Sequence, residues 1–184
     1  MTKKNFSAAL LFFSIGIVTS QNLNTQYWDN GQQRSEGILL PETAGPALSD
    51  RAKITDLSRR DGQWTTWYQD GKLASQEFYT KGLQTGLWKT SFPSGKQSSE
   101  VNLESGKAIY WYESGKLHSE GIMNKGMIRN GIWKGYFENG KITYEGNYSA
   151  GDKNGNWTWY NEKGDKTLAE KYSQGKQTEE LKGH

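Results

Sequence analysis

The chain has 184 residues, among them 22 Gly, 8 Trp and 10 Tyr, and it contains no Cys. The lack of Cys excludes disulfides, thiolate catalysis and Cys-ligated metal sites. The many Gly argue against a helical bundle, because Gly in a helix interior costs about 1 kcal/mol relative to Ala. Abundant aromatic residues and Gly together favour short strands joined by tight turns, so the sequence predicts an all-β protein.

The first segment predicts a signal peptide over residues 1–20. Lys3 and Lys4 form a charged head for an apolar run that ends at Val18, and small residues precede Gln21. The run is shorter than the roughly 20 residues that a membrane span needs. We expect export to the periplasm, the outer surface or the medium, with no transmembrane segment after cleavage. An uncleaved anchor or a buried first helix is the alternative.

The net charge depends on this signal peptide. The whole chain carries 23 Lys and Arg against 20 Asp and Glu, a formal charge of +3. Loss of Lys3 and Lys4 leaves 21 basic residues against the 20 acidic ones, a net charge of about +1. A nearly neutral exported chain gives no argument for nucleic acid as a partner.

The segments around the central part of the chain are less regular. Residues 21–38 predict an N-terminal half-repeat, because "YWDNGQQRSEG" has an aromatic pair, a turn Gly and an ending that return later. Residues 39–61 break this pattern, hold two of the three Pro and predict an insertion or linker. Alternating charges in such a loop are usually solvated; here they are Asp50, Arg51, Asp56, Arg59, Arg60 and Asp61. Residues 176–184 predict a polar C-terminal tail.

Residues 62–175 predict an array of repeats with fixed spacings. Each copy begins with Gly, a second residue and Trp, continues with aromatic residues, and reaches another Gly nine positions after the first. The Trp residues of four copies are Trp64, Trp88, Trp133 and Trp157. A degenerate copy with Ala108 in place of Trp ends at Gly115. In every copy one more Gly follows eleven residues later, and such regular spacing identifies a true repeat.

Each copy predicts a β-hairpin whose turn contains a small or polar residue and Gly, as in "QDGK" and "ENGK". Strict alternation places Trp64 and Thr66 on one face, and Leu73 and Tyr79 of the returning strand together on a face with them. The other face carries Glu36, Glu100, Glu120 and Glu145. Because a single hairpin is marginal in water, we expect the copies to pair into an elongated, single-layer antiparallel sheet.

The spacing G-x-W-x-x-aromatic-aromatic-x-x-G-K, with "EG" in the returning strand, resembles the MORN-repeat variant of YwqK-type proteins. The resemblance covers about residues 62–175, with an outlying copy at 27–37. It implies MORN-like hairpin repeats and an antitoxin of a bacterial toxin–antitoxin system. A cytoplasmic antitoxin would have no use for a signal peptide, so the predicted export departs from that implication.

No reactive centre can be assembled from the sequence. The two His residues, His118 and His184, provide neither a Ser-His-Asp set nor a metal site. The Glu side chains of adjacent hairpins would repeat at about 10 Å, farther apart than the roughly 5–9.5 Å of catalytic carboxylate pairs. The "GK" dipeptides lack the spacing of a phosphate-binding loop. We expect a non-catalytic chain without metal or cofactor.

Two aromatic rows remain as candidate surfaces. The sequence predicts that Trp64, Trp88, Trp133 and Trp157 stack on one another as the repeat core, with Gly71, Gly95, Gly115 and Gly140 in the turns. The opposite face presents Trp67, Trp111, Tyr136 and Tyr160 to solvent or to a partner. We expect this second row to bind or scaffold a protein, or alternatively to bind a glycan or a cell-envelope surface.

Overall fold

The computed structural model describes residues 23–41 and 56–180. Within these ranges the chain forms one antiparallel sheet of thirteen strands, which lie in the sheet in their order along the chain. The prediction of an all-β, single-layer sheet of repeated hairpins is confirmed. The predicted signal peptide and residues 42–55 of the predicted insertion lie outside the described residues. None of the helical structure in the described ranges is long and apolar enough to span a membrane.

The strands follow one another as consecutive hairpins. The first six are β1 (Leu23–Tyr27), β2 (Gln33–Leu39), β3 (Arg60–Trp67), β4 (Leu73–Thr80), β5 (Leu83–Ser91) and β6 (Gln97–Asn102). The next are β7 (Lys107–Trp111), β8 (Leu117–Asn124), β9 (Ile128–Tyr136), β10 (Ile142–Ser149), β11 (Asp152–Tyr160), β12 (Lys166–Ser173) and β13 (Lys176–Glu180). A 3-10 turn, Asp56–Arg59, precedes β3. Strand β3 thus begins within the predicted insertion, and β13 lies within the predicted tail.

One end of the sheet is formed by loops that contain the "GK" dipeptides. In the loop between β3 and β4, the Tyr68 N–H donates to the Lys72 carbonyl at 2.8 Å and the Gly71 N–H donates to the Tyr68 carbonyl at 2.9 Å. Gly71 has a φ of 85°, and φ is 90°, 88° and 84° at Gly95, Gly115 and Gly140. Because this region costs other residues about 1–2 kcal/mol, the loop requires Gly at the repeat's fixed spacing.

At the other end, three hairpins close through two-residue turns with positive φ at both positions, Lys81-Gly82, Ala150-Gly151 and Gln174-Gly175, while β8 and β9 are joined by the three residues 125–127. The two-residue turns are the primed turns whose twist matches a hairpin. The hairpin of β6 and β7 is shorter, with strands of six and five residues where β4 and β5 have eight and nine. It leaves a gap in this end of the sheet.

A β-bulge near each "GK" loop changes the face that the returning strand presents. Thr66 pairs with Ser75, whereas Trp67 pairs with Leu73, so the returning strand contains one extra residue. Leu73 therefore lies on the face of Trp67, and the prediction that it shares a face with Trp64 is wrong. The same shift places Leu117 opposite Trp111 and Ile142 opposite Tyr136. A bulge inverts the alternation beyond it, which a simple period-two pattern does not show.

The face of Trp64, here called the core face, holds most of the buried apolar side chains. Trp64, Trp133 and Trp157 are 1%, 0% and 2% exposed, while Trp88 is half-buried. The sequence predicted that the four indoles stack on one another, but they do not stack directly. They stand on β3, β5, β9 and β11, so neighbouring indoles are at least two strands, or about 10 Å, apart. Tyrosines fill the space between them; Tyr148, for example, lies 6.2 Å from Trp133 and 4.9 Å from Trp157.

Candidate binding face

Each fully buried Trp is seated on a Gly of the neighbouring strand. A Cβ added to Gly121 would lie 2.3 Å from the ring of Trp133, and Gly37 and Gly146 stand in the same relation to Trp64 and Trp157. The indole N–H donates to the carbonyl of the residue that follows the Gly, with acceptors at Ile38, Ile122 and Asn147. The Gly of the "EG" pattern is therefore required by the close approach of a ring. Sequence reasoning identified this Gly as part of the repeat but did not predict that a Trp ring packs on it.

The one exception supports this reading of the Gly seat. Glu77 stands where the strand before each fully buried Trp has this Gly, and the Trp that follows Glu77 on the next strand is Trp88. Trp88 still donates its N–H to the following carbonyl, that of Phe78, at 3.1 Å. It remains half-buried, whereas the three Trp residues seated on Gly are at most 2% exposed. A side chain at the seat thus keeps the ring from settling fully.

A cation covers the outer side of each fully buried indole. The Arg60 guanidinium lies 4.3 Å from the ring centre of Trp64, and Arg129 and Lys153 lie 4.4 and 4.6 Å from Trp133 and Trp157. Gly below and a cation above leave these indoles little surface for a ligand. The core face is accordingly the structural side of the sheet, and the candidate site lies on the opposite face.

The first of these cation stacks is also tied to a carboxylate. Arg60 forms an ion pair of 2.9 Å with Glu77, and the Tyr79 hydroxyl donates to the same carboxylate at 2.8 Å. Burial and this hydrogen bond to Glu77 raise the pKa of Tyr79 to about 12. The core face therefore contains a hydrogen-bonded Arg–Glu–Tyr cluster whose members are all engaged with one another.

The four aromatic residues proposed for binding all lie on the opposite face and are all half-buried. They are the last residues of their strands, Trp67, Trp111, Tyr136 and Tyr160. Because of the bulges, an aliphatic residue stands opposite three of them: Leu73, Leu117 and Ile142. The resulting aromatic and aliphatic row, here called the strip, runs from β3 to β11 and is interrupted on β5 and β6, where Ser91 pairs with Gln97. Sequence reasoning missed its aliphatic half.

A row of charged residues runs beside the strip on the same face. Lys89 pairs with Glu100, and Lys134 stands between Glu120 and Glu145 in the register. The Lys89–Glu100 and Lys134–Glu145 ion pairs measure 3.5 and 3.8 Å, and exposed pairs of this kind contribute about 0–1 kcal/mol. The predicted Glu column is thus interleaved with Lys, which leaves a charged border of mixed sign along the strip.

Two of the strip tyrosines are held in place by this charged row. The Tyr136 hydroxyl donates to Glu120 Oε1 and the Tyr160 hydroxyl donates to Glu145 Oε1, both at 2.8 Å. Burial and the hydrogen bond to Glu120 raise the pKa of Tyr136 to about 12, and the bond to Glu145 raises the pKa of Tyr160. Their rings are fixed before any ligand arrives, which reduces the entropy lost on binding.

Further apolar side chains and recesses lie on this face. Ile132, Ile122 and Phe78 are 65%, 43% and 36% exposed. The two Ile residues border a recess of about 300 Å³ together with the charged row. On the strip itself, Leu117 and Tyr136 line a recess of about 470 Å³ between adjacent hairpins. The face is therefore apolar on both sides of its charged row.

The Lys residues of the "GK" dipeptides hold neighbouring hairpins together. Three of the four ammonium groups donate to a carbonyl in the loop of the next hairpin: Lys72 to Pro93 at 3.1 Å, Lys96 to Glu113 at 3.0 Å and Lys141 to Lys163 at 2.6 Å. Tyr112 makes a similar bond to the carbonyl of Tyr136 at 2.7 Å. These bonds set the spacing of the hairpins at the end of the sheet where the strip lies.

The described residues contain no group of three His, Asp or Glu that could hold a metal ion. His118 is exposed, with its Nδ1 3.1 Å from Ser119 Oγ and its ring edge-on to Tyr112 at 4.7 Å. His184 lies outside the described residues.

The fold and this face define a class: an open sheet of hairpin repeats that serves as a binding or scaffold module. The family model for the MORN repeat variant matches three segments, residues 60–81, 104–125 and 129–150. These segments contain the hairpins β3–β4, β7–β8 and β9–β10, so three of the repeats are similar to MORN repeats. Comparison with curated proteins gives no matching sequence.

Proposed function

We propose that this protein is exported, is non-catalytic and binds another protein through the strip. The supporting observation is that Trp67, Trp111 and Tyr136 stand opposite aliphatic residues on the face that the core does not use. Trp and Tyr are enriched at the energetic centres of protein interfaces, and an apolar centre with a charged border is the usual anatomy of such surfaces. The charged row supplies that border.

The resemblance to YwqK-type proteins makes a toxin one form that this partner could take. Combined with the predicted signal peptide, such a role requires that the toxin be met outside the cytoplasm. The protein would then neutralise the toxin by covering it, since the mechanism asks only for a stable complex and no reaction.

The proposal is tested by capture from envelope extract with the chain Gln21–His184, in three versions. One is the wild type, one is Trp67→Ala/Trp111→Ala, and one is the control Leu23→Ala, at the end of β1 away from the strip, where the residue is 57% exposed. We expect one protein to be recovered by the wild type and the control and lost from the strip variant. Calorimetry on the purified pair should show at least a tenfold weaker complex for that variant.

Circular dichroism keeps this test interpretable, because the strip variant must retain the spectrum of the wild type. Recovery of the same proteins by all three versions, or of none by any, would contradict binding through the strip.

One observation favours a glycan as the alternative ligand. Trp111 borders a recess of about 430 Å³ together with Tyr112 and His118, so aromatic and polar groups meet there. Titration with cell-envelope oligosaccharides would then change the Trp fluorescence saturably, and Trp111→Ala would abolish the change. A chain that binds only protein gives no saturable signal.

A further inference from the structure

The short hairpin β6–β7 leaves a notch in the end of the sheet away from the "GK" loops. Its turn glycines, Gly95 and Gly115, are 20 positions apart, whereas Gly71 and Gly95 are 24 apart. Four missing residues shorten each strand by two, or roughly 7 Å. The notch is a recess of about 490 Å³, bounded by residues 82–85 on one side and by Lys125 and Gly126 on the other.

Two backbone hydrogen bonds that the regular hairpins make are missing around the notch. In the regular hairpins the turn Gly donates to a carbonyl 22 residues earlier: Gly82 to Arg60, Gly151 to Arg129 and Gly175 to Lys153, at 2.8, 2.9 and 3.0 Å. The same rule would join Gly106 to Gln84 and Gly126 to Glu104. Neither bond forms within residues 56–180, because the short hairpin ends before those positions. The Leu103 N–H donates to the Gly86 carbonyl instead, and the Gly106 carbonyl accepts from the Met123 N–H.

Among the described residues, the Gln84 carbonyl and the Gly126 N–H have no backbone partner, and both residues line the notch. Thr80 and Leu83 close the two-residue turn as a pair, so the backbone groups of Gln84 point away from β4. Within the described residues, strand β6 pairs with β5 only from Leu87 onward, so no neighbouring strand bonds to the Gln84 carbonyl. Gly126, whose N–H has no backbone acceptor in the same ranges, lines the other wall. Three strand spacings separate β5 from β8, roughly 14 Å, which is room for two strands.

The side chains of the notch are apolar and basic. Leu83 and Leu57 are 65% and 54% exposed, and the buried ring of Tyr79 also borders the recess. Lys125 lines it, Lys81 is adjacent in the chain, and of the described residues that line it none is Asp or Glu. Open backbone groups at the edge of a sheet are a template for pairing with another chain. Here they occur together with apolar surface and positive charge.

We propose that the notch binds the tip of a β-hairpin from a partner protein, which takes the place of the four missing residues. An N–H on one arm of the tip donates to the Gln84 carbonyl, and a carbonyl on the other arm accepts a hydrogen bond from the Gly126 N–H. A bulky apolar side chain on the tip packs against Leu83 and Leu57, and a carboxylate next to it faces Lys125. This site is separate from the strip and does not depend on the proposed function.

The probe is a set of disulfide-closed hairpin peptides whose tip positions vary among Leu, Phe, Asp and Glu, with linear forms of the same sequences for comparison. Binding to the full chain is followed by fluorescence polarisation. We expect saturable binding of closed peptides that combine an apolar and an acidic tip residue, and at least tenfold weaker binding of their linear forms. Absence of binding by every closed peptide, or equal binding of linear forms, would overturn the proposal.

Two variants locate the site. Leu83→Asp is compared with Ile132→Asp, because both side chains are 65% exposed and only the first lies in the notch. The second variant replaces residues 104–105 by a copy of residues 80–85, which restores the regular hairpin length and fills the notch from within. We expect both notch variants to weaken peptide binding at least tenfold, and Ile132→Asp and Trp67→Ala/Trp111→Ala to leave it unchanged.

Other outcomes would also contradict the proposal that the notch binds a hairpin from a partner protein. Retained binding in the filled variant, or equal loss in Leu83→Asp and Ile132→Asp, would place the peptide elsewhere. Sedimentation of the wild type supplies a further test: if it self-associates and the filled variant does not, the occupant is a second copy of this chain. Failure of the strip variant to capture a protein leaves these outcomes unaffected, so the two proposals fail separately.

Discussion

Gly121→Ala is expected to destabilise the sheet, because its methyl group would occupy the seat of Trp133. The added carbon would lie 2.3 Å from Cδ2 and 2.5 Å from Cε2 of the indole, whereas non-bonded carbon atoms are most stable at about 3.5–4.0 Å. Gly121 does not have the positive φ of the turn glycines. Backbone preference alone would make Ala more stable than Gly there by about 0.5–1 kcal/mol. Any loss of stability must therefore come from the clash between the added methyl group and the Trp133 ring.

Two responses of the structure set the size of the loss. If the strands shift to make room, overpacking costs about 1–3 kcal/mol. If the ring leaves its seat, the loss approaches the roughly 3–5 kcal/mol of a Trp→Ala change, because Trp133 is 0% exposed and donates to the Ile122 carbonyl at 2.9 Å. The methyl overlaps the middle of the ring rather than its edge, so we expect about 3 kcal/mol.

The assay is a double-mutant cycle with Trp133→Ala. The unfolding free energy of each variant is measured by urea denaturation, with far-ultraviolet circular dichroism as the signal. In the Trp133→Ala background, Gly121→Ala should cost less than about 0.5 kcal/mol, because the obstacle is gone. Gly140→Ala is the control, since its Cβ would meet nothing within 4 Å and its φ is +84°. It should cost about 1 kcal/mol in both backgrounds. If Gly121→Ala costs the same in both backgrounds, Gly121 is not required by the packing of the Trp133 ring.

Three further outcomes are expected. Arg60→Met removes the cation from Trp64 and the partner of Glu77, so unfolding free energy should fall by about 1–2 kcal/mol and partly recover with Glu77→Gln; full stability of Arg60→Met would contradict this. The pKa of Tyr79 and of Tyr136 is raised to about 12, above the roughly 10 of an unfolded chain, so the folded state favours the neutral phenols. The stabilisation that these raised pKa values give the folded state is complete below pH 10 and is lost as the pH rises toward 12, so the urea midpoint should fall over this range. Tyr79→Phe/Tyr136→Phe should make this fall smaller, and an unchanged fall would assign it to other groups. The protein recovered from the cell envelope should begin at Gln21 by mass spectrometry, and an intact first residue would exclude cleavage.

The hairpins and their turns could be predicted from the sequence because they depend on neighbouring residues. A loop such as Tyr68–Lys72 closes through its own backbone, and its Gly is required by a positive φ that few other residues adopt. The same local pattern gave the four aromatic members of the strip, since Trp67 follows Trp64 by three residues in the same strand. Periodicity alone was therefore enough for the fold class and for half of the candidate site.

The rest was decided by the register between strands, which no local pattern contains. One bulge moved Leu73 from the expected face to the strip, and one neighbouring Gly determined which indoles are fully buried. The missing four residues were visible as a spacing of 20 between Gly95 and Gly115. Their consequence was not visible, because the bonds that they would have made join residues 22 positions apart. Only the paired sheet shows that, within the described residues, the Gln84 carbonyl and the Gly126 N–H have no backbone partner.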